Sequence, residues 1–194
     1  TRSQTVTGVQ TCALPISVAF AGRNRPHKGI AHLIASARFL PADAPIHFLL
    51  LGRLTGDKSL RRQIGHSPHH DRIHLTGFRD DAPAVFAACN TFVMPSTRRE
   101  GLSRAVIEAM AYGTPPIVTD VGGLPESVID GQSGYVVPPE NAEALAVAIL
   151  KLYENRIMAE QMGENARDRI RTTFHIDNTV AETRAMFENL MQEG

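Results

Sequence analysis

The chain has 194 residues, 43% of them hydrophobic, with 20 basic and 20 acidic side chains. That length and apolar content allow one domain with a real core and exclude a disordered chain. A net charge of zero removes any whole-molecule field that would draw nucleic acid or an anionic membrane, so a phosphate site has to be local. No apolar run approaches the roughly 20 residues that span a bilayer, and no secretory signal pattern is present, which reads as a cytoplasmic protein. Cys12 and Cys89 lack CxxC spacing, and the Val-Phe-Ala-Ala-Cys context of Cys89 is that of a buried thiol.

Residues Thr1 to Ile16 are polar, carry neither helical nor strand periodicity, and read as foreign to the domain that follows. From Ser17 onward the order is regular. A strand over Val18 to Phe20 leads into the loop Gly22 to Gly29, after which Ile30, Leu33, Ile34, Ala37 and Leu40 recur at helical spacing. Ile46 to Leu51 is a continuous apolar run that suits a strand buried on both faces. A short helix at Arg61 to Ile64 and a short strand at Ile73 to Leu75 follow. The second half repeats the rhythm: helix Ala82 to Ala88, strand Thr91 to Met94, helix Ser103 to Tyr112 stopped by Gly113 and Pro115, and strand Pro116 to Thr119. Asn141 caps a helix running to about Tyr153, and helices over Ile157 to Arg171 and Ile176 to Met191 close the chain. Short strands alternating with amphipathic helices predict an α/β fold, a doubly wound, Rossmann-like parallel sheet over 17–175 with a last helix over 176–194. Ligands of such sheets sit beyond the carboxyl ends of the strands, where the Gly22, Gly52, Glu100 and Gly122-Gly123 loops fall.

Glu100 and Glu108, eight positions apart, come from different contexts, one after a strand and the other inside a helix, so they need not form one acid/base pair. Between them Gly101, Leu102 and Ser103 place backbone N–H groups at a helix start, where a phosphate or sugar hydroxyl can be held. In the loop from Gly22 to Gly29, Arg23, Arg25 and Lys28 lie beside glycine-rich backbone, which suits a diphosphate; read alone, the same loop is more often a solvated basic surface. Neither Walker A nor GxGxxG spacing is present. Gly122-Gly123-Leu124-Pro125-Glu126 is a second glycine-rich turn opening a short helix, either at the ligand end of the sheet or as a plain turn needing positive φ. His66, His69 and His70 read as a solvated loop rather than metal ligands, Asp80-Asp81 as a helix N-cap region, and Arg167, Arg169 and Arg171 as the exposed side of a helix.

Taken in order, Gly22-Arg23 with Lys28-Gly29, Gly52, Gly77, Met94-Pro95-Ser96, Glu100-Gly101 with Glu108-Ala109-Met110, Gly113-Thr114-Pro115, Gly122 to Glu126 and Gly134 resemble the C-terminal half of family-four retaining glycosyltransferases of the GT-B fold. The resemblance runs from about Val18 to the C-terminus, and the paired glutamates with their Gly-x-Pro sequel are its specific part. It implies one GT-B half-domain with C-terminal helices, binding a nucleoside-diphosphate sugar as co-substrate with no cofactor and no essential metal. By resemblance Arg23 and Lys28 grip the diphosphate, Glu108 takes the ribose hydroxyls, and Glu100 with the amides of Gly101, Leu102 and Ser103 takes the donor sugar and distal phosphate; Gly22 and Gly123 line the same site. The family's acceptor-holding N-terminal domain is replaced here by sixteen unplaced residues, so the chain reads as a fragment, with any peripheral membrane contact made through the missing half. Asn90 stands where the family often has Asp, and Leu102-Ser103 where Phe-Gly is frequent. The parent is expected to be a hexosyltransferase; a nucleotide-sugar-binding module without transfer activity, and an epimerase or phosphorylase of the same fold, are the alternatives.

Overall fold

A computed structural model describes residues 15–192. Six parallel strands form one sheet in the order β3-β2-β1-β4-β5-β6. They are β1 (Ile16–Ala21), β2 (Ile46–Leu51), β3 (Ile73–Gly77), β4 (Thr91–Met94), β5 (Pro116–Thr119) and β6 (Tyr135–Val137). The helices are α1 (Ile30–Ser36), α2 (Lys58–Gly65), α3 (Ala82–Ala88), α4 (Arg104–Ala111), α5 (Leu124–Ser127), α6 (Ala142–Glu154), α7 (Arg156–Thr173) and α8 (Ile176–Gln192). The fold is the doubly wound, Rossmann-like α/β sheet that the alternating pattern predicts. β4 and β5 are buried at every position, and helices on both faces explain why these strands read as continuous apolar runs. The strand order reverses between β1 and β4, which leaves a crevice at the carboxyl ends of those two strands.

The differences from the sequence reading have local causes. Ile16 belongs to β1, 1% exposed and paired with Ile46, so the segment set aside as foreign ends before it. Residues 1–14, with Cys12, lie outside the described residues. β6, absent from the sequence reading, is a three-residue edge strand placed by its pairing with β5; Asp130 Oδ1 accepts its Val136 N–H at 2.9 Å. α2 starts at Lys58 because Asp57 caps it, accepting from Leu60 N at 2.9 Å. That bond, together with one donated by the Asn24 side-chain amide, holds the Asp57 carboxyl below the usual carboxylate range. Asp81 does occupy the N-cap position of α3, but its carboxylate is taken by Arg79 rather than by a helix amide. His69 is buried rather than solvated. Arg169 is half-buried, donating to the Glu126 and Ser127 carbonyls at 2.7 and 2.9 Å, so it ties α7 to the end of α5. Cys89 is buried, which pushes its thiol pKa up. Val180, Met186, Phe187 and Leu190 of α8 are each more than half exposed. No helix among the described residues is long and apolar enough to cross a membrane.

At the amino ends of β4 and β5, Asn90 and Arg156 line one cavity of about 110 Å³. Asn90 Oδ1 accepts from Ser17 N at 2.8 Å, whereas Arg156 Nη1 is buried with no partner among the described residues. Across that cavity a carboxylate at position 90 is expected to keep the Ser17 bond and pair its second oxygen with the guanidinium. Asn90→Asp is therefore expected to add about 1 kcal/mol of stability. That corresponds to a rise of about 2–4 °C in melting midpoint for a chain of this size. An unchanged or lower midpoint in a thermal melt would remove the pairing.

Candidate functional site

Three loops converge over the crevice between β1 and β4, and close backbone approaches hold them there. Gly29 has φ 66°, and a Cβ on it would overlap the Pro95 carbonyl oxygen, so the first loop lies directly against the end of β4. Thr97 N donates to the His27 carbonyl at 2.8 Å across the same seam. On the other side Gly122, at φ 57°, lies where a Cβ would overlap the Glu100 carbonyl oxygen, and Gly123 N donates to that oxygen at 2.9 Å. The Gly122-Gly123 turn is thus more than a connection, because it fixes the backbone that carries Glu100.

Between these seams the structure joins two residues 72 positions apart. Lys28 Nζ donates to both carboxylate oxygens of Glu100, at 2.7 and 2.9 Å, and Ser96 Oγ donates to Oε2 at 2.9 Å. The two charged side chains are 21% and 12% exposed. A pair this far out of water gains more from its contact than a surface pair, and its three bonds fix the carboxylate in one orientation. Ser103 is the N-cap residue of α4 and makes no side-chain cap. The amides of Gly101, Leu102 and Ser103 donate to nothing among the described residues, leaving the unsatisfied N–H groups that favour an anion at a helix start. Glu108 lies one turn further along α4. Its Oε1 accepts from Arg104 Nε at 3.0 Å, a pair in which Arg104 is 91% exposed and which a ligand can displace at little cost.

Arg23 lies apart from that cluster and makes no hydrogen bond or ion pair with Lys28 or Glu100. It lines a cavity of about 320 Å³ over the ends of β1, β2 and β3, with Gly22, Gly52, Arg53 and Phe78. Phe78 is 66% exposed, with the Arg53 guanidinium 5.8 Å from its ring centre. Neither residue stands out in the sequence, although Arg53 follows Gly52, the residue after β2, and Phe78 follows Gly77, the last residue of β3. Among the described residues no group of three or more His, Cys, Asp and Glu side chains is placed to hold a metal ion.

The sequence profile of glycosyl transferases group 1 matches residues 15–169. The capsular polysaccharide biosynthesis glycosyltransferase CapM of Staphylococcus aureus is 28% identical over 181 residues, 91% of this chain and 47% of its own length. The Anabaena protein Alr3699/HepE, solved in complex with UDP-glucose, superposes with a TM-score of 0.79 at 28% identity, over 90% of this chain and 50% of that one. A C-terminal domain of a glycosyl transferase group 1 protein (LpcC) from Francisella tularensis shares the fold, with a TM-score of 0.75 over 83% of this chain and 87% of that domain. The chain spans about half the length of the curated relatives it matches. It belongs to the glycosyl transferases group 1 family and corresponds to one half of the GT-B architecture.

Proposed function

We propose that this chain is the donor-binding half of a retaining hexosyltransferase that uses a nucleoside-diphosphate sugar. The observation that carries the reading is the Lys28–Glu100 pair beside three free helix-start amides, with an open cavity and Arg23 on the nucleotide side. The UDP-glucose complex of the similar Anabaena protein supports the donor class. In this reading the cavity takes the nucleobase against the exposed Phe78 ring, and Glu108 exchanges Arg104 for the ribose hydroxyls. Arg23, Lys28 and the amides of Gly101, Leu102 and Ser103 hold the diphosphate, and Glu100, kept as an acceptor by Lys28 and Ser96, receives a sugar hydroxyl.

Transfer breaks the bond between the anomeric carbon and the distal phosphate oxygen and forms one from the same face of the sugar to the acceptor oxygen. The acceptor's proton passes to the departing phosphate, so no general base is required of this half. Charge building on that phosphate is met by fixed cations and amide dipoles already in place, which is electrostatic stabilisation without a metal. The acceptor and its own binding half complete the cleft.

Calorimetry against UDP-, GDP- and ADP-sugars and the matching free nucleotides tests the division of labour. Glu108→Gln is expected to weaken nucleotide and nucleotide-sugar alike by about tenfold or more, having lost a charged acceptor of two hydroxyls. Glu100→Gln is expected to weaken only the sugar conjugate. Equal losses for the nucleotide and its sugar in both variants would refute the assignment.

A further inference from the structure

We propose that Arg98 and Arg99, at the tip of the loop joining β4 to α4, hold a phosphate group on the acceptor. The proposal rests on the donor reading above, in which Glu100 touches the transferred sugar. The loop is anchored on both sides of these two residues. Thr97 N is bonded to the His27 carbonyl before them, and after them the Glu100 carbonyl accepts from Gly123 N while its carboxylate is held by Lys28. Only Arg98 and Arg99 project between the anchors. Both are exposed, and among the described residues neither makes an ion pair or a side-chain hydrogen bond.

The backbone supplies a second observation. Arg99 has φ 53°, the left-handed conformation that non-glycine residues adopt rarely, and one of only two such non-glycine positions among the described residues. A loop needing only that turn accommodates Gly or Asn with less strain, so an arginine there points to use of its side chain. The local charge is likewise uncompensated in a chain whose net charge is zero. The two acids of the segment from Ser96 to Glu108 are already engaged, Glu100 by Lys28 and Glu108 by Arg104.

Two adjacent guanidiniums match a phosphate, because each offers a planar fork of donors to a dianion. The donor's own diphosphate is served elsewhere, by Arg23, Lys28 and the α4 amides, with the nucleotide cavity over β1 to β3. The arginine tip follows β4 and directly precedes Glu100, the residue assigned to the sugar. A group held there belongs to the molecule that meets the sugar from outside, the acceptor.

The test uses the chain saturated with the nucleoside diphosphate it binds, so that the donor cations are occupied. Glycerol 3-phosphate and glycerol are titrated by NMR, and phosphatidylcholine vesicles with and without farnesyl phosphate are tested by co-sedimentation. The expected result is binding of a phosphate-bearing probe, not of glycerol or plain vesicles, weakened about tenfold or more in the Arg98→Ala/Arg99→Ala variant. Nucleoside diphosphate affinity should be unchanged in that variant. Binding of glycerol 3-phosphate assigns a soluble phosphorylated acceptor, and binding of the farnesyl phosphate vesicles alone assigns a lipid-borne one. No phosphate-dependent binding, binding indifferent to the double substitution, or a loss of nucleoside diphosphate affinity in the variant would each overturn the proposal. Failure of the chain to bind any nucleoside diphosphate would instead overturn the donor reading beneath it.

Discussion

The purified 194-residue chain is expected to bind a nucleoside-diphosphate sugar and to transfer nothing from it. Its described residues form one sheet domain that spans about half the length of the curated relatives it matches. Glycosyl transfer requires the acceptor oxygen to be held in near-attack geometry against the anomeric carbon, an effect worth as much as about 7–11 kcal/mol, or about five to eight powers of ten in rate. On the proposed reading this domain holds the donor, and the wall that aligns the acceptor comes from outside the described residues. The measurement pairs calorimetry, which should register donor binding, with a radiolabelled transfer assay over a panel of acceptors, which should remain at the background of donor hydrolysis. Multiple turnovers onto an added acceptor would show that the second half is dispensable.

Removing the two cations assigned to the diphosphate is expected to give the next largest effect. Loss of a hydrogen bond to a charged group costs about 1.5–3 kcal/mol, roughly ten- to a hundredfold in affinity. Lys28→Ala should lie toward the upper end and Arg23→Ala toward the lower. Arg23 is exposed and makes no ion pair among the described residues, so its removal deletes only what it gives the ligand. Lys28 also neutralises Glu100, and without it a carboxylate held only by Ser96 faces the incoming phosphates. That difference makes a second readout available. In Lys28→Ala/Glu100→Gln the repulsive charge is gone, so nucleoside diphosphate binding should recover part of what Lys28→Ala loses, a coupling that a double-mutant cycle isolates. Circular dichroism confirms that the variants fold. Unchanged affinity in both single variants would sink the diphosphate assignment, and additive losses in the double variant would show that the pair does not act as a unit.

How much of this was legible beforehand follows the range of the interactions involved. The alternation of apolar runs with helical spacing located five of the six strands, because a short apolar run between helical segments is written in its own residues. Asn141 was legible as a cap for the same reason, since its side chain accepts from Ala144 N three residues away, at 2.9 Å. β6 was not, because it is an edge strand whose place is set by its pairing with β5. Similarly, the anchoring of α7 by Arg169 comes from a segment distant in the chain, and a polar side chain in sequence gives no sign of the partner that will cover it.

The site divides along the same line. By itself the sequence determined which groups are present, Arg23 and Lys28 beside glycines, Glu100 and Glu108 flanking a helix start, and the strand ends on which they fall. Only the tertiary structure decided that Lys28 and Glu100 share one ion pair while Arg23 stands apart with Arg53 and Phe78, and that Gly29 and Gly122 are the points where neighbouring loops touch. The physical reason is that propensity, capping and periodicity act over a few residues and are written locally. A contact across 72 positions depends on the strand order that brings β1 beside β4, which no single segment encodes.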